Sequence, residues 1–553
     1  MPHPPAMTVV TRASILRVPA TLAVIVFSWA ALVALPGAVA AQEELSAMES
    51  APAAAVTHPR ASVKHTPRAK RPARRRARPA TRAHSPAATV SYTAPASRAA
   101  LASDVGSMLN SRVRSGTWGA IVVSLTRGDT LYSYNADHEL QPASNMKLFT
   151  TAVALDQFGA DHQFTTDVLR QGALDASGTL HGNLVLRGGG DPALSRRFYQ
   201  GGAGAAMDVL AQLVASAGIK RVTGNLVADA SAFVEEPIPE GWQSRYLQSS
   251  YAARVSALSL NDNIVLVAVQ PGAANRAATV SLEPATDIPV SSSVRTVAGR
   301  TGARVVVRNT TRGTIEVRGW IGARAGTQRY QLVVEHPAVF TAGAFRHALA
   351  ARGIAVDGPT RFATTPAGAR LVTSLASPPL DRLISAMNRE SINHYAELLF
   401  RDAGRSASRD GVGSVESANA LLQDFMTGKV GARPGSVLAA DGSGLSVLDR
   451  VTPRALVQLL GYAHDAPWGN AFHASLPVAG ESELLRHRMR LTPAQGNLHA
   501  KTGTTNSVVS LGGYVTARDG ELLAFALIYN GTDRWNARQA IDVVGATLAG
   551  FVR

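Results

Sequence analysis

The chain of 553 residues contains no cysteine. That absence excludes a disulfide framework, a thiolate metal site, a cysteine nucleophile and lipid attachment through an N-terminal cysteine. Lysine is scarce as well. Of 55 basic side chains only Lys64, Lys70, Lys147, Lys220, Lys429 and Lys501 are lysine, and the others are arginine. Arginine stays protonated and cannot act as a base, so a lysine kept in such a sequence points to a need for a compact, titratable amine. Aromatic residues make up only 6%, and no apolar run after the N-terminal one is long enough to read as a membrane span. The remaining balance, 46% hydrophobic and 17% charged, excludes a wholly disordered chain and provides for a sizeable core. The length allows about three domains.

The formal charge of +16 is unevenly spread. Ten Lys or Arg residues and no acid lie between Arg60 and Arg82, and without them the chain carries +6. The folded part is thus mildly basic, and no nucleic-acid partner is expected. Residues 42–99 are dominated by Ala, Pro, Arg, Ser and Thr and lack the large apolar side chains that offset the entropy of ordering. They read as a disordered basic tail, either a solvated linker or a segment attracted to anionic envelope polymers or headgroups. Ahead of the tail, Arg12 and Arg17 precede an apolar run over 18–35 and then Ala38-Val39-Ala40. This is the grammar of a signal peptide over 1–41, cut near Ala40 or Ala41, with an uncleaved anchor as the alternative. The mature chain is then expected outside the inner membrane, periplasmic or facing the wall.

From about residue 100 the pattern becomes periodic. The segments 119–125 and 130–134 flank Arg127-Gly128-Asp129 as a β-hairpin does. After Pro142 the stretch SNMKLFTTAVALDQF has helical spacing and opens on Ser144. The middle, about 170–375, consists of short β-branched runs separated by Gly, Pro and Asn, which reads as mainly β inserted domains. Helices return with LDRLISAMNRE, INHYAELLFRDAG and about 453–463. The C-terminal part predicts a strand at KTG, a hairpin over 507–516 and 522–529 across Asp519-Gly520, and a closing helix over 535–552.

Three segments carry side chains suited to acyl transfer. In Ser144-Asn145-Met146-Lys147, helical spacing sets the Lys147 amine over the Ser144 hydroxyl, and apolar neighbours such as Met146 and Phe149 can lower its pKa enough to take the serine proton. A capped helix with a surface lysine is the competing reading. In Lys501-Thr502-Gly503-Thr504, an edge-strand lysine and Thr502 can hold a substrate carboxylate while Gly503 admits the substrate backbone; an ordinary strand start is the alternative. Ser391-Ile392-Asn393 sits between two helices and can relay a proton and orient an amide. The same S-x-N pattern recurs at Ser133, Ser259 and Ser417, so only position singles out Ser391. Metal chemistry has no support, because His394-Tyr395-Ala396-Glu397 is not H-E-x-x-H, and Gly188-Gly189-Gly190 lacks the Lys-Ser/Thr of a phosphate loop. No cofactor is expected.

The order S-x-x-K, S-x-N, K-T-G resembles that of the penicillin-recognising serine enzymes. The interval from Ser144 to Ser391 is far longer than in β-lactamases. Together with RGGGDPALS, DASAF, PEGW, SALSLNDN, MNRESINHYAELL, DGSGLS, SLPVAGE and AKTGT followed by LGGYV, it resembles the D-alanyl-D-alanine carboxypeptidase/endopeptidase family of class C low-molecular-mass penicillin-binding proteins, over about 100–553. The resemblance implies an α+β fold: a transpeptidase-like domain, with an antiparallel sheet between helices, interrupted by mainly β nested inserts. The implied division is 100–168 and 376–553 for that domain, 169–187 and 259–375 for an outer insert, and 188–258 for an inner one. It further implies Ser144 as the acylated nucleophile, Lys147 as its base, Ser391 and Asn393 as proton shuttle and acyl anchor, Lys501 and Thr502 on the terminal carboxylate, and Gly503 and Thr504 beside them. The backbone N–H groups of Ser144 and Thr504 would form the oxyanion hole. Peptidoglycan stem peptides are the implied substrate and β-lactams the implied inhibitors. Arg389, where many relatives have Lys, and the adjacent Glu390 are departures that bear on substrate preference. A β-lactamase-like hydrolase and a non-catalytic envelope-binding scaffold remain as alternatives.

Overall fold

A five-stranded antiparallel sheet organises the part of the protein that holds the three motifs, with strand order His499–Thr504, Val508–Thr516, Leu522–Asn530, Thr117–Ser124, Thr130–Tyr134. The computed structural model describes residues 91–113, 115–311 and 313–553. The expected signal segment, and the tail as far as residue 90, lie outside the described residues. Within them the chain is already helical from Arg98, where the Ser97 hydroxyl accepts the Ala100 N–H at 3.2 Å and caps the helix Arg98–Arg112. The last residues of the expected tail are therefore part of the folded body, and Pro95 O accepts the Val552 N–H.

The period-two alternation of the central strands explains the layering. Leu523, Phe525, Leu527 and Tyr529 point into one apolar cluster with the helices Arg98–Arg112 and Arg534–Gly550. Ala524, Ala526 and Ile528 point into the other, which contains the helices Met146–Phe158, Leu380–Glu390, Asn393–Ala407 and Pro453–Asp465. A strand covered on both faces reads as a continuous apolar run, which is what LLAFALIY is. In the helix Met146–Phe158 every residue from Met146 through Leu155 is buried, including the polar Lys147, Thr150 and Thr151, whose side chains hydrogen-bond inside the protein.

Between that helix and Leu380–Glu390 the chain departs for some two hundred residues and returns to the same place. Phe164 N–H donates to Ser377 Oγ at 3.0 Å, Ser377 N–H to Phe164 O at 2.8 Å, and Leu380 N–H to His162 O at 2.8 Å. The first and last strands of the excursion, Thr165–Leu174 and Arg370–Ala376, pair antiparallel, so exit and entry are stapled together. The excursion itself holds a seven-stranded sheet and two three-stranded sheets around one shared apolar cluster. The strands Arg221–Val222 and Leu226–Asp229, from the segment expected as the inner insert, pair in parallel with Thr179–Gly188 of the outer one. Both small sheets come from the chain between Ile264 and Val333. Two helices, Ala205–Ser216 and Pro337–Ala351, also lie in this region read as mainly β.

Leu527 stands on the middle strand of the central sheet and is fully buried. Leu527→Ala is expected to lower stability by about 2–5 kcal/mol, read as a shift in the denaturant midpoint at unchanged slope.

Candidate active site

Pro142 ends the approach from the sheet, and a single 3-10 turn, Ala143–Asn145, leads into the buried helix. Ala143 takes a left-handed φ of 47°, and the turn presents Ser144 at the mouth of the helix. Lys147, one turn on, has its Nζ 3.1 Å from Ser144 Oγ, 2.6 Å from Asn393 Oδ1 and 2.6 Å from the backbone carbonyl of Ser443. The side chain has no exposure to solvent. Burial lowers the amine to about 8, against the opposing pull of Asp441, Glu397 and Asp449. At neutral pH about a tenth of it is then the free base.

Ser391 is the left-handed C-cap of Leu380–Glu390, at φ 58° and ψ 43°. Its N–H closes on Met387 O, and the next helix starts two residues later at Asn393. That sharp break is how a three-residue motif between helices reaches the cleft. Ser391 Oγ accepts from Lys501 Nζ at 2.9 Å, and Asn393 Nδ2 donates to Tyr251 O at 2.8 Å, which leaves its Oδ1 for Lys147. Lys501 also donates to Thr502 O at 2.9 Å. Burial, and then repulsion by Lys147, push the Lys501 amine well below the ordinary lysine value.

His499–Thr504 is the edge strand of the sheet and runs hard against the Ser144 turn. A Cβ on Gly503 would lie 2.2 Å from Ser510 Oγ, 2.8 Å from Pro142 O and 3.1 Å from Ser144 N, so only glycine fits. Ser510 Oγ donates to Pro142 O at 2.7 Å and accepts from Asn145 Nδ2, which pins the turn to the sheet. Thr502 is nearly buried and Thr504 is exposed. All the residues singled out in the sequence, Ser144, Lys147, Ser391, Asn393, Lys501, Thr502, Gly503 and Thr504, thus converge on one cleft. Ser133, Ser259 and Ser417, which share the S-x-N pattern, have no bond to it among the described residues. Ser417 lies in the capping box of Val415–Gly428, and Ser259 Oγ donates to Ser256 O.

A further piece was present in the sequence as DGSGLS but was assigned no role. The buried Asp441 carboxylate accepts the backbone N–H groups of Ser443, Gly444, Leu445 and Ser446 at 2.9, 2.6, 3.1 and 2.8 Å, and the Trp242 indole N–H at 2.7 Å. This folds the loop so that the Ser443 carbonyl faces Lys147. Gly444, at φ 84°, stacks the loop on the serine turn, where a Cβ would meet Ala143 O at 1.9 Å. Beneath it, Glu397 Oε1 accepts the Gly442 N–H and Oε2 the Arg401 guanidinium, both residues being buried; burial and Asp441 raise Glu397 to about 7. An acid followed by glycines and serines is a local signal for a side chain that collects backbone N–H groups. Near Ser391, Glu390 contacts Arg197, and Arg389 donates to Ala474 O at 3.1 Å and lies 3.6 Å from Glu483.

Residues 101–549 match the family model described as the D-Ala-D-Ala carboxypeptidase 3 (S13) family. The chain belongs to that family. It is 33% identical over 449 residues to the D-alanyl-D-alanine carboxypeptidase of Actinomadura sp. (strain R39), an alignment covering 78% of this chain and 81% of the relative. It is 27% identical to the D-alanyl-D-alanine carboxypeptidase DacB of Haemophilus influenzae, over 75% of this chain and 85% of that one. The crystal structure of penicillin binding protein 4 (dacB) from Haemophilus influenzae superposes with a TM-score of 0.69 at 23% identity, over 80% of this chain and 98% of that one. The fold is thus the α+β one expected, a transpeptidase-like core with additional β-sheets. As an S13 peptidase the protein is a serine-type D-Ala-D-Ala carboxypeptidase, a peptidoglycan-acting hydrolase of the penicillin-binding kind. Among the described residues no helix is long and apolar enough to cross a membrane.

Asp441→Asn leaves one oxygen for the five N–H groups of loop and indole and turns an N–H₂ toward them. Bonds to a charged group are worth about 1.5–3 kcal/mol each. The variant is expected to lose about that much stability and to release D-Ala at least about tenfold more slowly, with the first read by thermal unfolding and the second by D-Ala assay.

Proposed function

We propose that Ser144 is the residue acylated by the stem peptide and by β-lactams, with the other seven residues in the roles their positions support. The observation that carries this reading is the Lys147 amine, 3.1 Å from Ser144 Oγ, in a pocket without solvent exposure. The neutral amine takes the hydroxyl proton as Oγ bonds to the carbonyl carbon of the penultimate D-Ala. The negative oxygen of the tetrahedral species is held by the backbone N–H groups of Ser144 and Thr504. Ser391, hydrogen-bonded to Lys501, passes its proton to the departing amine and is refilled with the proton that Lys147 took from Ser144, so D-Ala leaves and Lys147 is neutral again. Water then attacks the ester carbonyl, Lys147 takes the water proton and returns it to Ser144 Oγ as the bond from Oγ to the acyl carbon breaks, and the shortened peptide is released. Asn393 fixes Lys147 and the acyl amide.

Lys501 and Thr502 bind the terminal carboxylate. Burial alone disfavours the charged form of Lys501, and a carboxylate within hydrogen-bond reach restores it. The outer edge of His499–Thr504 pairs with Val478 at His499 and bonds Pro477 O through the Ala500 N–H, and beyond Ala500 no further strand covers it among the described residues, so that stretch can offer main-chain groups to an extended peptide. Terminal trimming and cleavage of a D-Ala cross-link are the same transfer with different leaving amines, so one site serves as carboxypeptidase and endopeptidase. The Haemophilus influenzae protein has been crystallised in complex with a β-lactam, which supports binding of β-lactams at the site of Ser144 here. The substrate lies outside the cytoplasm, and the N-terminal segment supports export to the periplasm or the wall-facing side.

Ser144→Ala is expected to abolish both D-Ala release and the covalent adduct seen by intact-mass analysis after benzylpenicillin. An adduct that persists in the variant removes Ser144 from the role. The pH dependence follows from Lys147: the free amine is the active form and burial holds it near 8. The limiting acylation rate at saturating drug is therefore expected to climb from pH 6, pass half-maximum near pH 8 and level off above it, as measured by stopped-flow fluorescence.

A further inference from the structure

The three-stranded sheet of Val290–Val297, Ala303–Asn309 and Ile315–Gly322 buries one face and presents the other to solvent. Val294, Ile315, Val317 and Ile321 enter the core of the inserted region. Register places Arg304, Trp320 and Arg295 in one row of the outer face, Val306, Arg318 and Ser293 in the next, and Arg308, Glu316 and Ser291 in the third. The strands thus contain four arginines and a single acid. Arg308 and Arg318 share that acid, Glu316, and their side chains remain 61% and 63% exposed. Arg304 and Arg295 are exposed, and a fifth guanidinium, Arg300, sits 4.7 Å from the centroid of the Trp320 ring. On the edge strand Ala303–Asn309, Val306 stands between Arg304 and Arg308 and opposite Arg318 and is 60% exposed. Neither the acyl-transfer chemistry nor the apolar core makes use of this arrangement.

We propose that this outer face docks the protein on a membrane surface of anionic phospholipid. Charge complementarity provides the long-range attraction, each exposed Arg adding to it. An exposed apolar side chain and an amphipathic indole beside guanidinium groups suit the boundary between headgroups and acyl chains. A dissolved polyanion has charge for the arginines but no use for Val306. The sheet is three strands wide, at about 4.8 Å per strand, and its side chains form an open face of several rows rather than a groove for one extended chain. The site lies in the inserted region, so docking leaves the catalytic cleft between sheet edge and helices uncovered by its own contacts.

The absence of cysteine from the chain provides a clean test. In the full chain, Val306→Cys carrying an environment-sensitive fluorophore reports on this face, and Leu491→Cys, at a position 72% exposed elsewhere, is the control. Vesicles of phosphatidylglycerol mixed with phosphatidylcholine are expected to blue-shift the probe at 306 and not the one at 491. Pure phosphatidylcholine vesicles shift neither. Arg304→Glu with Arg318→Glu is expected to weaken vesicle binding read at 306 at least about tenfold, with D-Ala release unchanged. A probe at 306 that stays in water while the protein sediments with anionic vesicles overturns the proposal, since contact then runs through another segment such as the basic 60–82 stretch. Failure to sediment at low salt overturns it also, as does an equal shift with soluble polyglutamate, which assigns the face to a dissolved polyanion.

Discussion

An amine with no water around it must be neutral, paired or held by oriented dipoles, and Lys147 is placed among all three choices. Its immediate neighbours are neutral oxygens: the Ser144 hydroxyl, the Asn393 amide and the Ser443 carbonyl. The carboxylates of Asp441, Glu397 and Asp449 act from further back and oppose the effect of burial. A carboxylate in direct contact would stabilise the ammonium far above neutrality and remove the base. Holding the charges one layer away leaves an amine near 8, charged enough to keep its geometry and neutral often enough to accept a proton.

The surrounding structure serves that arrangement. Asp441 spends its carboxylate on backbone N–H groups and an indole rather than on the lysine, and thereby shapes the loop that brings the Ser443 carbonyl in. Glu397 is tied to Arg401 and Gly442. Ser391 and Asn393 face the lysines because a left-handed residue breaks the chain between two helices. The glycine at 503 lets the edge strand approach the serine turn until no side chain fits between them. The excursion after the buried helix distorts none of this, since its ends are joined by paired strands. It also contributes to the site, because Trp242 from the excursion caps Asp441 and the Tyr251 carbonyl holds Asn393.

The residues of the candidate site were legible because the chemistry proposed for them forces their spacing. A serine and a lysine three apart must share a helical face, and scarcity made Lys147 and Lys501 conspicuous. The hairpins were legible from alternation and turn residues: 119–125 and 130–134 became Thr117–Ser124 and Thr130–Tyr134, and the closing helix became Arg534–Gly550. What sequence did not show depends on contacts between distant segments. Nothing local in Arg221–Val222 or Leu226–Asp229 says that they pair with Thr179–Gly188. The helix Pro337–Ala351, rich in alanine, has too even a distribution of small side chains to show a face. Asp441 is a single acid in a polar loop until the fold turns four N–H groups and a tryptophan from another part of the chain toward it.

The two lysines also give the substrate's carboxylate an electrostatic role. They occupy one buried cleft, and repulsion from Lys147 contributes to the lowered pKa of Lys501. In the proposed mechanism a terminal carboxylate arriving at Lys501 favours its ammonium form, and the electrostatic reciprocity of any two sites requires that a charged Lys501 disfavour the charged form of Lys147. The carboxylate brings a negative charge of its own beside that ammonium, so the pair adds little net field at Lys147 and the base keeps its value near 8. A peptide lacking the terminal carboxylate leaves Lys501 with no counter-charge in a dry pocket and forfeits the anchor. The terminal carboxylate is thus the group that lets two amines share one buried cleft when both are charged.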